Sequence, residues 1–153
     1  MTKDPESNAV PLEFHEGEEE EEALVLKCES SAPATVRRRV DSILSELSLS
    51  PLEAYEVKVA VGEAVGNAIR HGCKLDSGKY ITVRIKRTPA ALIFAVSDDG
   101  PGFCPDAHPC RDSDPDNCGG LGLRLMRHLM DEVEFDFDHG TTIRLTKRLR
   151  PNT

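Results

Sequence analysis

The sequence predicts an α+β domain, a two-layer sandwich with helices on one face of a mostly antiparallel, mixed β-sheet. Two observations support this prediction. The predicted elements follow the order strand, helix, helix, strand, strand, long loop, helix, strand, strand. The helical segments carry apolar residues at spacings of three and four, whereas the strand segments alternate or form short apolar runs. The 153 residues are enough for one such domain and an appendage.

The first two elements follow from residues 23–47. Residues 23–28, Ala-Leu-Val-Leu-Lys-Cys, predict the first strand. The apolar residues between Pro33 and Leu47 lie on one face of a helix, which we expect to begin through Ser30 or Ser31.

A second helix is marked by the local sequence at its start. Ser50 is the expected N-cap, Pro51 the first-turn proline and Glu53 the capping-box acid. We expect the helix to run to about His71 and to end at Gly72 as the C′ glycine. Its apolar stripe is Val57, Ala60, Val61, Ala64, Val65 and Ala68.

The second half of the chain predicts a long loop between regular elements. Residues 98–120 are rich in Asp, Pro, Gly and Cys, and a loop of this length in a compact domain is usually functional. The flanking elements are strands at 80–86 and 91–96, a helix at 121–130, and strands at 132–137 and 141–149.

The net charge of −8 is concentrated at the N-terminus. Residues 1–22 contain nine acidic residues and one lysine, which leaves 18 acidic and 18 basic residues in the rest of the chain. We therefore expect an acidic, disordered tail at 1–22, a folded domain at 23–150 and a short C-terminal end at 151–153. A body without a basic surplus argues against nucleic-acid binding.

Apolar runs are too short for a membrane span, and the acidic N-terminus does not resemble a signal peptide. Five cysteines without an export signal indicate reduced thiols and a cytoplasmic protein.

The first chemical motif is EAVGNAIRHG, at residues 63–72. Glu63 and Asn67 are four residues apart, so they lie on the same helix face. A carboxylate can accept a proton from a hydroxyl, and an amide oxygen suits Mg²⁺.

The second motif is DDGPGF, at residues 98–103, directly after a strand. The ionised carboxylate of Asp98 only accepts hydrogen bonds, so it can receive one from an exocyclic amino group, which favours adenine over guanine. Gly100 and Gly102 let the backbone approach a flat ligand closely.

The third motif is GGLGLRLM, at residues 119–126, which opens a helix. Glycines before a helix N-terminus leave amides that point at one spot and suit a phosphate. The segment is neither a dinucleotide fingerprint nor a Walker A loop, because it lacks the third glycine and the Gly-Lys-Ser/Thr sequence.

The ordered set of three motifs resembles the N, G1 and G2 boxes of the GHKL superfamily, which has the Bergerat ATP-binding fold, over residues 23–150. The residues within the three motifs are most similar to those of stand-alone serine/threonine kinases of the anti-sigma-factor type. The resemblance implies Glu63 as general base, Asn67 as Mg²⁺ ligand and Asp98 as adenine reader. It implies further nucleotide contacts at Gly100, Gly102, Gly120, Leu121, Gly122 and Thr141, with Thr141 supporting Asp98.

By the same resemblance, ATP and Mg²⁺ are the cofactors, and an antagonist protein of the anti-anti-sigma type carries the target Ser or Thr. A sigma factor is a second partner that the resemblance suggests, and a homodimer is expected. Two other functions stay open: an ATP-gated module that sequesters its partner without modifying it, and a switch that senses metal or redox state.

The metal- or redox-sensing alternative is based on the long loop. Its Cys104, His108, Cys110 and Cys118 supply enough ligands for a tetrahedral zinc site. Because these residues lack C-x-x-C spacing, reduced thiols are the expectation, with zinc and redox sensitivity as alternatives.

Overall fold

A computed structural model of the chain describes residues 19–74, 76, 78–98, 120–136 and 140–150. The strands are β1 Glu20–Lys27, β2 Tyr80–Arg87, β3 Ala91–Asp98, β4 Glu132–Asp136 and β5 Thr142–Arg148. The helices are α1 Ala32–Ser45, α2 Pro51–Asn67 and α3 Gly120–Leu129, and a π-helical turn, Ala68–Gly72, continues α2.

The five strands form one sheet in the order β1-β2-β3-β5-β4. The expected sandwich is confirmed, with helices packed on the sheet face that carries Leu24, Val83 and Phe94. All four pairings between the described strands are antiparallel, so this part of the chain lacks the parallel pair that a mixed sheet requires.

The first strand begins earlier than the sequence predicts. β1 starts at Glu20 instead of Ala23, so the last three residues assigned to the acidic tail belong to the sheet. Glu22 points inward and is 5% exposed, because Arg39 of α1 neutralises it with a hydrogen bond from Nη2 to Oε1 of 2.7 Å. Arg39 Nε also donates to both carboxylate oxygens. Because residues 18–22 are all glutamate, their charge does not show that buried and exposed positions alternate along the start of β1.

The start of α2 is confirmed in detail. Ser50 is the N-cap, its hydroxyl accepts a hydrogen bond from the Glu53 amide at 3.1 Å, and Pro51 occupies the first turn. The predicted apolar stripe of α2 is buried against the sheet, with Val57, Ala60 and Ala64 fully inaccessible to solvent. This packing fixes the rotation of α2 and therefore the direction in which its polar residues point.

The end of α2 differs from the prediction. Gly72 is not a C′ glycine with a positive φ; it lies inside the π-helical turn, and Lys74 has the positive φ, at 52°. The amide of Cys73 donates to the carbonyl of Ala68 at 2.9 Å, a five-residue step that replaces the ordinary four-residue bond. Such turns are frequent at functional sites because they reposition one residue within a helix.

Candidate active site

The side chains of Glu63 and Asn67 converge on the start of α3. Both are half-buried on α2, and α3 packs against that helix. A Cβ added at Gly122 would lie 2.7 Å from Oε2 of Glu63 and 3.9 Å from Oδ1 of Asn67. The side-chain oxygens of Glu63 and Asn67, from the first motif, thus both lie within 4 Å of the Cβ position of Gly122, from the third motif. The sequence alone placed Glu63 and Asn67 on one face but gave no distance to Gly122.

Gly122 has no side chain at the point where space is needed. A methyl group there would displace the Glu63 carboxylate, since 2.7 Å is closer than real Cβ contacts come. Gly120 begins α3, and the first amides of a helix have no partners within it. Leu121 is 79% exposed, so it does not contribute to the core.

Asp98 ends β3 and turns its carboxylate into the protein, where it is 5% exposed. Its amide donates to the Thr141 carbonyl at 3.0 Å, and the Thr141 amide donates to Asp98 Oδ1 at 3.4 Å. Thr141 is itself buried just before β5, the strand that pairs with β3. The structure therefore brings Thr141 to Asp98.

The other side of Asp98 is shaped by Gly72. A Cβ at Gly72 would lie 2.2 Å from Cγ and 2.4 Å from Oδ2 of Asp98. No side chain fits at those distances, so the glycine is required by the carboxylate and not by helix termination. The π-helical turn brings this glycine to the end of β3.

A residue missed at the sequence level is Arg70. Its Nη2 donates to Oδ1 of Asn67 at 3.2 Å, and a Cβ at Gly66 would lie 3.0 Å from its Nη1. Gly66 therefore gives the guanidinium room to lie over the helix. The signal was present, because positions 67 and 70 are three apart on one helix face, but that spacing cannot tell which way an exposed arginine turns.

Two buried thiols, Cys28 and Cys73, lie next to each other, and Cys73 is also near Asp98. Burial chiefly, then the hydrogen bond and the charge of Cys28, then the charge of Asp98, raise the pKa of the Cys73 thiol to about 12, with Lys79 opposing. Cys28 itself points its Sγ at the carbonyl of Ile69, 3.8 Å away. Buried thiols of this kind are packing groups and not nucleophiles.

Several predicted site residues lie outside the described residues. They are Gly100 and Gly102 of the second motif, and Cys104, His108, Cys110 and Cys118 of the loop. Within the described ranges, no group of three or more His, Cys, Asp and Glu side chains could hold a metal ion. No helix in the same ranges is long and apolar enough to cross a membrane.

The side-chain oxygens of Glu63, Asn67 and Asp98 suit a nucleotide and its bound cation. The Glu63 and Asn67 oxygens are hard ligands of the kind Mg²⁺ prefers, and they converge within 4 Å of one point. The buried carboxylate of Asp98 accepts a hydrogen bond on Oδ1 from the Thr141 amide. An exocyclic amino group is a matching donor for such a carboxylate.

This fold and this site define an ATP-binding domain of the GHKL class. Residues 26–147 match the family described as histidine kinase-like ATPase domain. The chain belongs to this family.

Relatives with curated names narrow the comparison. The serine-protein kinase RsbW of Bacillus licheniformis is 35% identical over 124 residues, and that of Bacillus subtilis strain 168 is 32% identical over 122 residues. Each alignment covers 74% of this chain and 76% of the relative.

Solved structures give the same architecture. The RsbU and RsbW domains of Rv1364c from Mycobacterium tuberculosis match with a TM-score of 0.62 and 25% identity over 86% of this chain. This chain spans 33% of that longer protein. The histidine kinase domain of the Erythrobacter litoralis EL346 blue-light activated histidine kinase has a TM-score of 0.52. At 19% identity, covering 76% of this chain and 60% of that one, it supports the fold alone.

Proposed function

We propose that this chain is an ATP-dependent serine/threonine-protein kinase of the anti-sigma-factor type, which phosphorylates an antagonist protein in a partner-switching circuit. The observation that carries the proposal is the convergence of Glu63 Oε2 and Asn67 Oδ1 at Gly122. Relatives named serine-protein kinase RsbW, at up to 35% identity, support the same activity.

Each site residue has one role in this proposal. Glu63 takes the proton from the attacking hydroxyl and orients it, since a positioned carboxylate can do both. The Asn67 oxygen is the Mg²⁺ ligand, and Asp98, held by Thr141, receives the adenine amino group. A Mg²⁺ ion held by Asn67 would supply positive charge next to the phosphates.

The glycine motifs complete the nucleotide site. We assign the base pocket to Gly100 and Gly102 and the phosphate contacts to Gly120, Leu121 and Gly122. The phosphate assignment rests on the start of α3 at Gly120, because the first amides of a helix have no partner within the helix. Arg70 adds a cation beside Asn67 that the sequence motif did not reveal.

The partners and setting form the rest of the proposal. The phosphate acceptor is an antagonist protein with a target Ser or Thr. The second partner is a sigma factor, which the kinase either binds or releases. The kinase itself is a cytoplasmic homodimer. Nucleic acid and membrane have no part in this function.

The test uses the purified chain, Mg²⁺ with γ-labelled ATP, and candidate antagonists encoded by neighbouring genes. Wild-type protein should label a Ser or Thr of one antagonist. Glu63→Gln should lower the transfer rate by roughly 100-fold or more, with ATP affinity by calorimetry nearly unchanged. The matched control is Glu29→Gln, because Glu29 is an exposed glutamate outside the site.

Two results would contradict the proposal. Equal transfer rates for Glu63→Gln and wild type would remove Glu63 from the proton-transfer role. ATP-dependent capture of an antagonist that stays unlabelled would identify a sequestering module instead of a kinase.

A further inference from the structure

Arg70 contacts the same oxygen of Asn67 that the proposed function assigns to Mg²⁺. Its Nη2 donates a hydrogen bond to Asn67 Oδ1 at 3.2 Å. A guanidinium is always charged and only donates hydrogen bonds. Asn67 ends α2 and Arg70 lies in the π-helical turn that continues it, so the contact is local. A positive charge of the chain itself therefore occupies the amide oxygen in this structure.

The guanidinium of Arg70 is held loosely in this position. A Cβ at Gly66 would lie 3.0 Å from Nη1 and 3.4 Å from Nη2, so the absence of a side chain there gives the guanidinium its room. Arg70 is exposed, and within the described ranges it forms no ion pair. An exposed hydrogen bond of this kind contributes little net free energy. Arg70 can therefore exchange its contact with Asn67 for one with a bound anion.

The place where such an anion would bind is adjacent. Asn67 Oδ1 lies 3.9 Å from the Cβ position of Gly122, near the start of α3, to which the proposed function assigns the phosphates. The amide oxygen is thus within reach of both the Arg70 guanidinium and the phosphate site. The positive charge of Arg70 favours phosphate binding there, whether or not the nucleotide carries a metal ion.

We propose that Arg70 is a positioning residue that competes with Mg²⁺ for the oxygen of Asn67. The amide oxygen is held by the guanidinium or by the metal ion, but not by both, because two cations at one oxygen repel each other strongly. Arg70 therefore supports ATP binding when metal is absent and reduces the additional affinity that metal provides. This inference rests on the assignment of Asn67 in the proposed function and adds the group that competes for this ligand.

A purely structural role for Arg70 predicts a different result. If its hydrogen bond only oriented the amide of Asn67, its loss would weaken ATP binding by a similar factor with and without Mg²⁺. Competition predicts effects of opposite sign, because loss of the guanidinium removes a charge that favours metal-free ATP and a charge that repels the metal ion. The metal dependence of ATP affinity therefore separates the two roles.

The test is calorimetric titration of the full chain with ATP, once in excess Mg²⁺ and once in EDTA. The quantity compared is the ratio of the Kd in EDTA to the Kd in Mg²⁺. Arg70→Met keeps an unbranched side chain but removes the charge and the donors. We expect its ATP affinity to fall roughly fivefold in EDTA and to rise about twofold in Mg²⁺, so that the ratio increases roughly tenfold.

Two further variants are the controls. Arg70→Lys keeps a positive charge and a donor, so its ratio should stay within about twofold of wild type. Arg84→Met removes an exposed arginine from β2, on the sheet face opposite the helices, and should leave both dissociation constants unchanged. Circular dichroism shows whether each variant is folded.

Three results would overturn the inference while ATP still binds. They are an unchanged ratio in Arg70→Met, a ratio in Arg70→Lys that rises as far as in Arg70→Met, and an equal rise in Arg84→Met. Absence of ATP binding by the wild-type chain in both conditions would overturn the proposed nucleotide site and the inference with it. Phosphoryl transfer is measured separately, so a chain that binds ATP but fails to label an antagonist contradicts the kinase proposal alone.

Discussion

Gly72 occupies a position at which any side chain would collide with the carboxylate of Asp98, at a Cβ–Cγ distance of 2.2 Å. Gly72→Ala must therefore displace Asp98 or the π-helical turn. We expect a loss of about 1–3 kcal/mol in the free energy of unfolding, together with weakened ATP binding. Urea denaturation and calorimetry measure the two effects.

Gly62→Ala is the control for that substitution. Gly62 is exposed on the same helix, and a Cβ there meets nothing within 4 Å. Alanine favours a helix interior over glycine by up to about 1 kcal/mol, so this variant should be slightly more stable and bind ATP normally. Equal stability losses at both positions would remove the steric argument for Gly72.

Asp98→Asn keeps the shape of the side chain but replaces one acceptor oxygen by an amide donor. Facing an adenine amino group, that donor leaves the base without its partner, at a cost of about 1–3 kcal/mol. We expect ATP affinity to fall by roughly 10-fold to 100-fold. Preference for ATP over GTP should fall with it. Calorimetry with both nucleotides measures this, with Asp41→Asn on the exposed face of α1 as control. Unchanged ATP affinity would refute the role of Asp98.

Gly122→Ala tests the convergence at α3. Its Cβ would lie 2.7 Å from Glu63 Oε2, the far end of a flexible side chain, so the helix should still form while the carboxylate moves. A catalytic group displaced by about 1 Å can lose roughly 100-fold in rate. We expect phosphoryl transfer to fall far more than thermal stability. A normal transfer rate would show that the carboxylate position is not critical.

Arg39→Met leaves the Glu22 carboxylate buried without its cation. Breaking a buried pair from one side costs about 3 kcal/mol or more, whereas removing both charges is often neutral. Urea unfolding should show a large loss for the single variant. Glu22→Leu combined with Arg39→Met should recover most of it. If the double variant is as unstable as the single one, packing by the arginine, and not the stranded charge, explains the loss.

Cys73 predicts a decline of stability in alkaline solution. Its pKa rises from 9.0 to about 12 on folding, so the unfolded chain releases this proton first as the pH increases. The contribution is fully present below about pH 9 and is lost as the pH rises towards about 12.

Urea unfolding between pH 8 and pH 10.5, roughly the range over which the free thiol ionises, should therefore give a steeper decline for wild type than for Cys73→Ala. The thiol should also resist alkylation in the folded protein. Rapid labelling of native Cys73 at neutral pH would contradict its burial.

Most of the architecture was predictable because it depends on periodic apolar residues. The α2 stripe at Val57, Ala60 and Ala64, and the Ser50 cap, follow from local sequence and were found as expected. The convergence of Glu63 with Gly122 depends on how α2 and α3 pack, which periodicity does not describe.

The sequence did not reveal why a glycine is required at position 72, and the reason differs from that for Gly122. A glycine at the end of a helix is usually a C′ residue, so the pattern favoured the common explanation. The five-residue bond from Cys73 to Ala68 has no sequence signature, and the clash with Asp98 involves a strand that begins 19 positions later in the chain. Close approaches between distant segments require coordinates.

The position of β5 in the sheet determines the stage of folding at which a bound nucleotide can stabilise the protein. β5 comes last in the sequence but lies between β3 and β4, and Thr141 reaches Asp98 across 43 positions. A nascent chain that has emerged only as far as β4 lacks the strand β5 that pairs with β3 and the Thr141 amide that donates to Asp98. A ligand stabilises only states that bind it, so ATP should add nothing to early intermediates and act only after the final strand inserts. Refolding of the purified chain should therefore proceed at the same rate with and without ATP, whereas unfolding should be slower with ATP.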